Sequence, residues 1–312
     1  MASETADPTP SAGIPLAAYG HLLTIYLVWG AAYLAVKVCI SGPAYITVFQ
    51  LQSGRMWCAA LLLALLATVR HGRPKRPSAR DLGICAASGL LMWVAGNGLA
   101  TLASRHAASS FIVMALGAIP LWSCMLDLLI ERAVPSGRVL AGLLLGLAGL
   151  FLVMAPALTD ASRAIIEPGY AGFTAAILVI AGISWSLGTI VQRPLLRRVP
   201  VEWAASFQMT AAALVLSMLA LGEGSAPPSG FGTHQLLAFG FLVVFASVIG
   251  LTSYIKVLRT FRPVVASTFA YVNPVVGVLL GTALLGETPA PISLAGLMVV
   301  LVSIGIVLTR PT

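Results

Sequence analysis

Charged side chains are scarce in this sequence: 18 Lys and Arg and 10 Asp and Glu among 312 residues, or 9%. A soluble domain carries about 25%, so these residues cannot cover a water-exposed surface, and a soluble globular enzyme is excluded. Intrinsic disorder is excluded by the opposite excess, apolar mass. Cysteine is sparse too. Cys39, Cys58, Cys85 and Cys124 each lie in or at the end of an apolar stretch, with no C-x-x-C pair. Disulfide frameworks and zinc sites need clustered cysteines, so these read as buried apolar groups. His21, His71, His106 and His234 are scattered. The chain has no G-x-x-x-x-G-K-[ST] and no H-E-x-x-H, the signatures of nucleotide and zinc-protease sites. No nucleophile stands beside a base, as acyl transfer would need. No catalytic residue, metal or cofactor is therefore expected. Met1 to Pro15 holds Glu4 and Asp7 but no Lys or Arg, and a secretory signal needs a basic n-region. Residues 1–15 read as a disordered cytoplasmic tail before an uncleaved first span.

Apolar residues fill the space that charge leaves. They make up 59% of the chain, and the mean hydropathy is +0.97. A spanning helix needs about 20 mostly apolar residues. Hydrophobic runs divided by charged or Gly/Pro-rich breaks predict ten spans: 16–38, 45–69, 82–103, 107–130, 137–157, 170–191, 202–221, 235–257, 264–286 and 291–309. Pro200, Pro263 and Pro291 fall at or just before helix starts, where a missing N–H costs little. With the N-terminus inside, inner segments collect Arg70, Arg73, Lys75, Arg76, Arg80, Arg132, Arg138, Arg193, Arg197, Arg198, Lys256, Arg259, Arg262 and Arg310. Outer loops keep Arg105 and Arg163, while Lys37 lies near the outer end of span 1 and Arg55 inside span 2. Positive charge collects in cytoplasmic loops, so both termini are expected there. The net charge of +8 follows from this bias and indicates a lipid bilayer as partner, with no nucleic acid.

The two halves repeat at an offset of about 154 to 156 residues. Trp29-Gly30-Ala31-Ala32-Tyr33 meets Trp185-Ser186-Leu187-Gly188-Thr189, and Arg105 meets Arg259. Pro120 meets Pro274, Glu131 and Pro135 meet Glu287 and Pro289, and Gly142 meets Gly296. Five spans per half place the second copy upside down, as in many secondary transporters. The expected fold is all-α integral membrane, with ten transmembrane helices as two inverted five-helix repeats, 16–157 and 170–309.

Several of these segments also mark a family. They are Val28-Trp29-Gly30-Ala31-Ala32-Tyr33, Arg55-Met56-Trp57-Cys58-Ala59, Gly96-Asn97-Gly98, Ile183-Ser184-Trp185, Ala270-Tyr271-Val272-Asn273-Pro274 and Leu285-Gly286-Glu287-Thr288. The chain resembles, over nearly its whole length, the drug/metabolite transporter superfamily with two EamA-type domains. It is most similar to the bacterial exporters of the YedA/PecM kind. That resemblance implies a plasma (inner) membrane exporter of small metabolites or drugs, with a cavity between the halves.

The residues themselves suggest where such a cavity lies. Arg55 sits near the middle of span 2, where a charge costs about 2.5–3.5 kcal/mol on insertion scales. It must face protein or water, either to attract a substrate anion or to bond another helix. Gln208 in span 7 is its approximate repeat partner. Trp29 and Tyr33 share one face of span 1 with Tyr26 and Lys37, too deep for an interfacial belt; Lys37, near the surface, reads as a snorkelling side chain. Trp93, Asn97, Thr101 and Arg105 recur every four residues on span 3. Met114 on span 4, Trp185 on span 6, Tyr254 on span 8, and Tyr271 and Asn273 on span 9 complete the expected substrate-binding set. Pro120 and Pro274 remove helical hydrogen bonds and are the expected hinges. Asp127 reads as a loop-facing ion-pair partner or, alternatively, as a protonatable coupling group. Gly142-x-x-x-Gly146 and Gly277-x-x-x-Gly281 have close-packing spacing.

The expected function is secondary export of a small amphipathic molecule, such as an amino acid or related metabolite, or of a drug, by alternating access. Downhill flux is favoured, and a proton is the candidate coupling ion. A channel or a ligand sensor is the alternative, and the assembly is either monomer or homodimer.

Overall fold

The computed structural model describes residues 14–72, 77–107, 109–159, 166–285 and 290–308. Residues 1–13, most of the expected tail, lie outside this set, as do Glu287 and the side chains of Tyr33, Met114, Gly277 and Gly281. The described chain is all-α apart from one isolated bridge, Ala107 to Ile166.

The helices form ten units in chain order among the described residues: α1 Leu16–Ile40, α2 Val48–His71, α3 Ala79–Ala103, α4 Ser109–Leu116 and Ile119–Glu131, α5 Gly137–Thr159, α6 Ala171–Val191, α7 Val201–Gly222, α8 Thr233–Leu258, α9 Pro263–Ala266 and Phe269–Leu285, and α10 Pro291–Leu308. Seven described helices are long and apolar enough to cross a membrane; Gly137–Val153 and Pro263–Val276 are shorter apolar segments. The protein is an integral membrane helical protein. Backbone groups in lipid must bond internally, and the helix ends show how this is met. Thr47 and Gln50 form a capping box before α2, Ser78 accepts from the Asp81 amide at α3, and Pro263 and Pro291 open α9 and α10.

Two kinds of irregularity matter. In α3 and α8 the backbone widens to π-helix over Leu90–Gly98 and Leu242–Ile249; such turns concentrate at functional sites. Helices α4 and α9 break at Gly117–Ala118 and Ser267–Thr268. Pro120 lies just beyond the α4 break. Pro274, by contrast, lies inside the continuous helix Phe269–Leu285, so the α9 break precedes it. The bends are therefore not at the prolines themselves: at Pro274 the chain absorbs the missing N–H within the helix.

Packing joins α2 to α7, α5 to α10, α1 to α8 and α9, and α6 to α3 and α4. This pattern is unchanged when the first five units exchange with the last five. The end where α1 begins and α10 finishes is here termed the base, and the opposite end the mouth. At the α5–α10 contact the backbones nearly touch: a Cβ on Gly149 would lie 2.9 Å from the Val300 amide nitrogen, and one on Gly296 2.7 Å from the Gly149 carbonyl oxygen. Gly142 and Gly146 also press against α10, at Val307 and Ser303, as their spacing predicts.

Overpacking a filled core costs about 1–3 kcal/mol. Gly149→Leu should therefore lower the thermal unfolding midpoint in detergent, or prevent folded expression. Gly20→Leu, where a Cβ meets nothing within 4 Å, should leave the midpoint unchanged.

Candidate functional site

A cavity of about 370 Å³ runs from the middle of the bundle toward the mouth. Its wall takes Trp29, Ala32, Val36, Lys37 and Ile40 from α1, Arg55 from α2, and Trp93, Gly96, Asn97, Ala100 and Thr101 from α3. Ile112, Leu116 and Ile119 of α4, Ala181 and Trp185 of α6, Phe269 and Asn273 of α9, and Ser41, Ser104 and Ala107 at the mouth complete the wall. No Asp or Glu is among the described lining residues, so the two cations, Arg55 and Lys37, set the sign of the site.

Arg55 is held by geometry that its sequence position explains. It is 3% exposed, and its Nε donates to Ser247 Oγ at 2.8 Å. Ser247 in turn donates to the Leu242 carbonyl, five residues back in the π-turn. The guanidinium carbon stands 5.5 Å from the Trp93 ring centroid, within cation–π range. Beside it, Gln52 Nε2 donates to Thr101 Oγ1 at 2.9 Å, and Thr101 donates to the Asn97 carbonyl. A charge buried in protein thus acquires a polar cradle from α2, α3 and α8.

Trp29, Trp93, Trp185 and Phe269 floor the cavity, with Tyr254 behind them. Trp29 lies 5.4 Å from Trp185, 5.2 Å from Tyr254 and 4.7 Å from Phe269, centroid to centroid. Trp93 stands 5.6 Å from Trp185. The Trp29 indole donates to the Ala246 carbonyl in the α8 π-turn, which fixes its plane. Under the floor, Tyr254 and Thr189 hydroxyls meet at 2.7 Å and Tyr26 and Thr268 at 2.6 Å. The buried polar atoms with no hydrogen-bond partner among the described residues include Trp93 Nε1, Asn97 Oδ1 and Asn273 Oδ1 of the cavity-lining residues. An unmade buried hydrogen bond costs about 1–3 kcal/mol, so these atoms favour an occupant that supplies both a donor and an acceptor.

The base is closed by charge. Arg193 pairs with Asp127 and Glu131, Arg70 and His71 pair with Glu202, and Arg198 pairs with Asp81. Asp127 thus pairs away from the cavity, with Arg193.

The expected residues Trp29, Arg55, Trp93, Asn97, Trp185 and Asn273 come together at this cavity. Three others do not line it. Gln208, 0% exposed, faces α6 and donates to Gln192 Oε1 at 3.0 Å. Tyr254 lies behind Trp29 and Trp185. Tyr271 turns to α5 and donates to the Leu143 carbonyl at 2.9 Å. Helices α7 and α8 therefore back the site rather than line it. Phe269 was not anticipated: two residues from Tyr271, it points about 200° around the helix. Its signal was the apolar aromatic beside the α9 break. Lys37, read as a snorkelling group, lines the mouth.

An amphipathic, water-accessible cavity at mid-bundle, closed at one end, defines a membrane transporter rather than a lipid-embedded scaffold. Comparison with known proteins gives the family. Residues 172–309 match the EamA-like transporter family. The chain is 30% identical over 294 residues to the uncharacterized inner membrane transporter YedA of Escherichia coli K12, covering 93% of this chain and 90% of that one. YedA of E. coli O157:H7 matches equally. One solved crystal structure, 17% identical, aligns with a TM-score of 0.75 over 94% of this chain and 96% of its own, a likeness of fold alone. The chain belongs to the EamA-like transporter family, a family of membrane transporters and not of enzymes.

The wall can be checked without knowing the substrate. In a background with the four cysteines replaced, Thr101→Cys should react with a small thiol reagent in membranes, whereas Gln208→Cys should stay protected.

Proposed function

We propose that this transporter exports a small amphipathic metabolite bearing an anionic group, an amino acid or a related compound, from the cytoplasm. The observation that carries this reading is the cavity: aromatic walls, a buried Arg55, and no carboxylate among the described lining residues. Its volume of about 370 Å³ lies at the lower end of small-ligand sites, about 300–1,000 Å³. The substrate anion faces Arg55, its donor groups meet Asn97 Oδ1 and Asn273 Oδ1, and its apolar part lies against Trp29, Trp93 and Phe269.

The cycle is alternating access between two inverted five-helix repeats, 16–157 and 170–309. The sequence repeat supports this, as does the exchange symmetry of the helix packing. In this orientation the base and both termini are cytoplasmic, where the basic loops collect, and the mouth opens outward from an inner membrane. Flux is downhill, since the described wall offers no carboxylate to carry a proton.

The test is export from whole cells at matched expression. A charge-assisted hydrogen bond contributes about 1.5–3 kcal/mol, so Arg55→Ala should cut efflux of the transported compound at least about tenfold. Tyr271→Phe, outside the cavity, should leave the efflux KM unchanged. Equal export by wild type and Arg55→Ala would remove Arg55 from the path. An impermeant thiol reagent should label Ser104→Cys in intact cells; protection there with labelling in inverted vesicles would reverse the orientation.

A further inference from the structure

The base and the mouth differ at one pair of equivalent positions. Arg193 follows α6, eight residues beyond Trp185; Lys37 lies eight residues beyond Trp29 on α1. By the repeat, the two cations occupy the same place in the two halves. Arg193 is engaged: it bridges Asp127 and Glu131, both on the second part of α4. Asp127 is 3% exposed, so the pair lies largely inside the contact. Above it, Ser123 donates to Ser186 Oγ at 3.0 Å, and Trp122 packs where a Cβ on Gly182 would lie, 2.8 Å away. Helix α4 is thus fastened to α6 from the middle of the bundle to the base. Lys37 makes no ion pair among the described residues, and it lines the open mouth. Within one structure, the paired cation marks the closed end, and the cation with no ion pair among the described residues lines the open end.

We propose that Arg193 is the latch of the inner gate: its bridge to Asp127 and Glu131 holds α4 against α6 and keeps the base shut while the mouth is open. Opening the base requires α4 to leave α6, which separates Arg193 from both carboxylates. Arg193 is a positioning residue, since it lies outside the cavity wall and touches no substrate. Neutralising the cation leaves Asp127 and Glu131, both on α4, without their counter-charge in the closed contact, where Asp127 is buried. An uncompensated buried charge is costly, and water reaching these carboxylates relieves it, so the population shifts toward the base-open state. This latch rests on the alternating-access reading, but its test does not require the substrate.

The experiment measures thiol labelling in membranes, with the four native cysteines replaced. Ser104→Cys reports the mouth, and Ser186→Cys, 1% exposed and on the α4–α6 contact, reports the inner gate. In the Arg193-intact protein, Ser104→Cys should react and Ser186→Cys should be protected. With Arg193→Gln added, Ser186→Cys labelling should rise at least about threefold and Ser104→Cys labelling should fall, as a population shift requires. Arg193→Lys keeps the charge and should restore the original pattern. Lys37→Gln should leave Ser186→Cys protected. Unchanged labelling in Arg193→Gln would overturn the latch, as would a parallel rise at both sites, which marks general loosening. If Arg193→Gln does not fold, Glu131→Gln with Asp127→Asn removes the same bridge, with the same expected and overturning results. A protein that labels as expected but exports nothing would sink the export reading and leave the latch standing.

Discussion

A guanidinium buried in an apolar bundle constrains everything near it. Even after relaxation, burying a charge costs several kcal/mol unless its donors are bonded. Arg55 meets this demand with Ser247, Gln52 and the face of Trp93. Each of those partners needs its own support. Ser247 is placed by the widened turn of α8, Gln52 bonds Thr101 on α3, and Trp93 sits in the widened turn of α3. The two π-segments therefore flank the charged centre from both sides.

The same scarcity of charge organises the ends. With few ionisable groups, every Asp and Glu among the described residues has an ion-pair partner, and the pairs cluster by end. The base holds the Arg193, Arg70, His71 and Arg198 pairs; the mouth side holds Arg105 with Glu223 and His106 with Glu167. The base pairs tie the first five helical units to the last five, α4 to the end of α6 and α2 to α7. Between the cavity and the base, the aromatic floor and the two hydroxyl pairs form a largely apolar plug. A ligand reaching Arg55 from the mouth thus meets a wall that must rearrange before it can leave at the other side, which is the geometry that alternating access requires.

Much of this was legible in the sequence, for definite reasons. Spans are long runs with a composition that only lipid tolerates, so all ten expected spans overlap helical units. Trp29, Arg55, Trp93, Asn97, Trp185 and Asn273 were found because polar or bulky aromatic groups deep in an apolar run need a reason to be there. What escaped depended on helix rotation and on local winding. Tyr271 and Phe269 are two residues apart and face opposite ways, and no periodicity separates the tyrosine that bonds Leu143 from the phenylalanine that floors the cavity. Gln208 had the right depth and the wrong face. The π-turns carry no composition signal, and the α9 break falls at Ser267–Thr268 rather than at the conspicuous Pro274. Asp127 could be read as a loop partner, but the identity of its partner, Arg193, needed the three-dimensional end of α6.

The central claim, that one cavity opens alternately at two ends, is tested most directly by distances at both ends in one population. Spin labels at Ser41 and Ala107 would report the mouth, and labels at Arg132 and Arg197 the base, with the protein in lipid and read by pulsed dipolar spectroscopy. Conditions that load the cavity from the base side should shorten the mouth distance and lengthen the base distance together. Two distances that lengthen together, or a mouth that never narrows under any loading, would contradict alternating access and leave a static, one-sided pocket in its place.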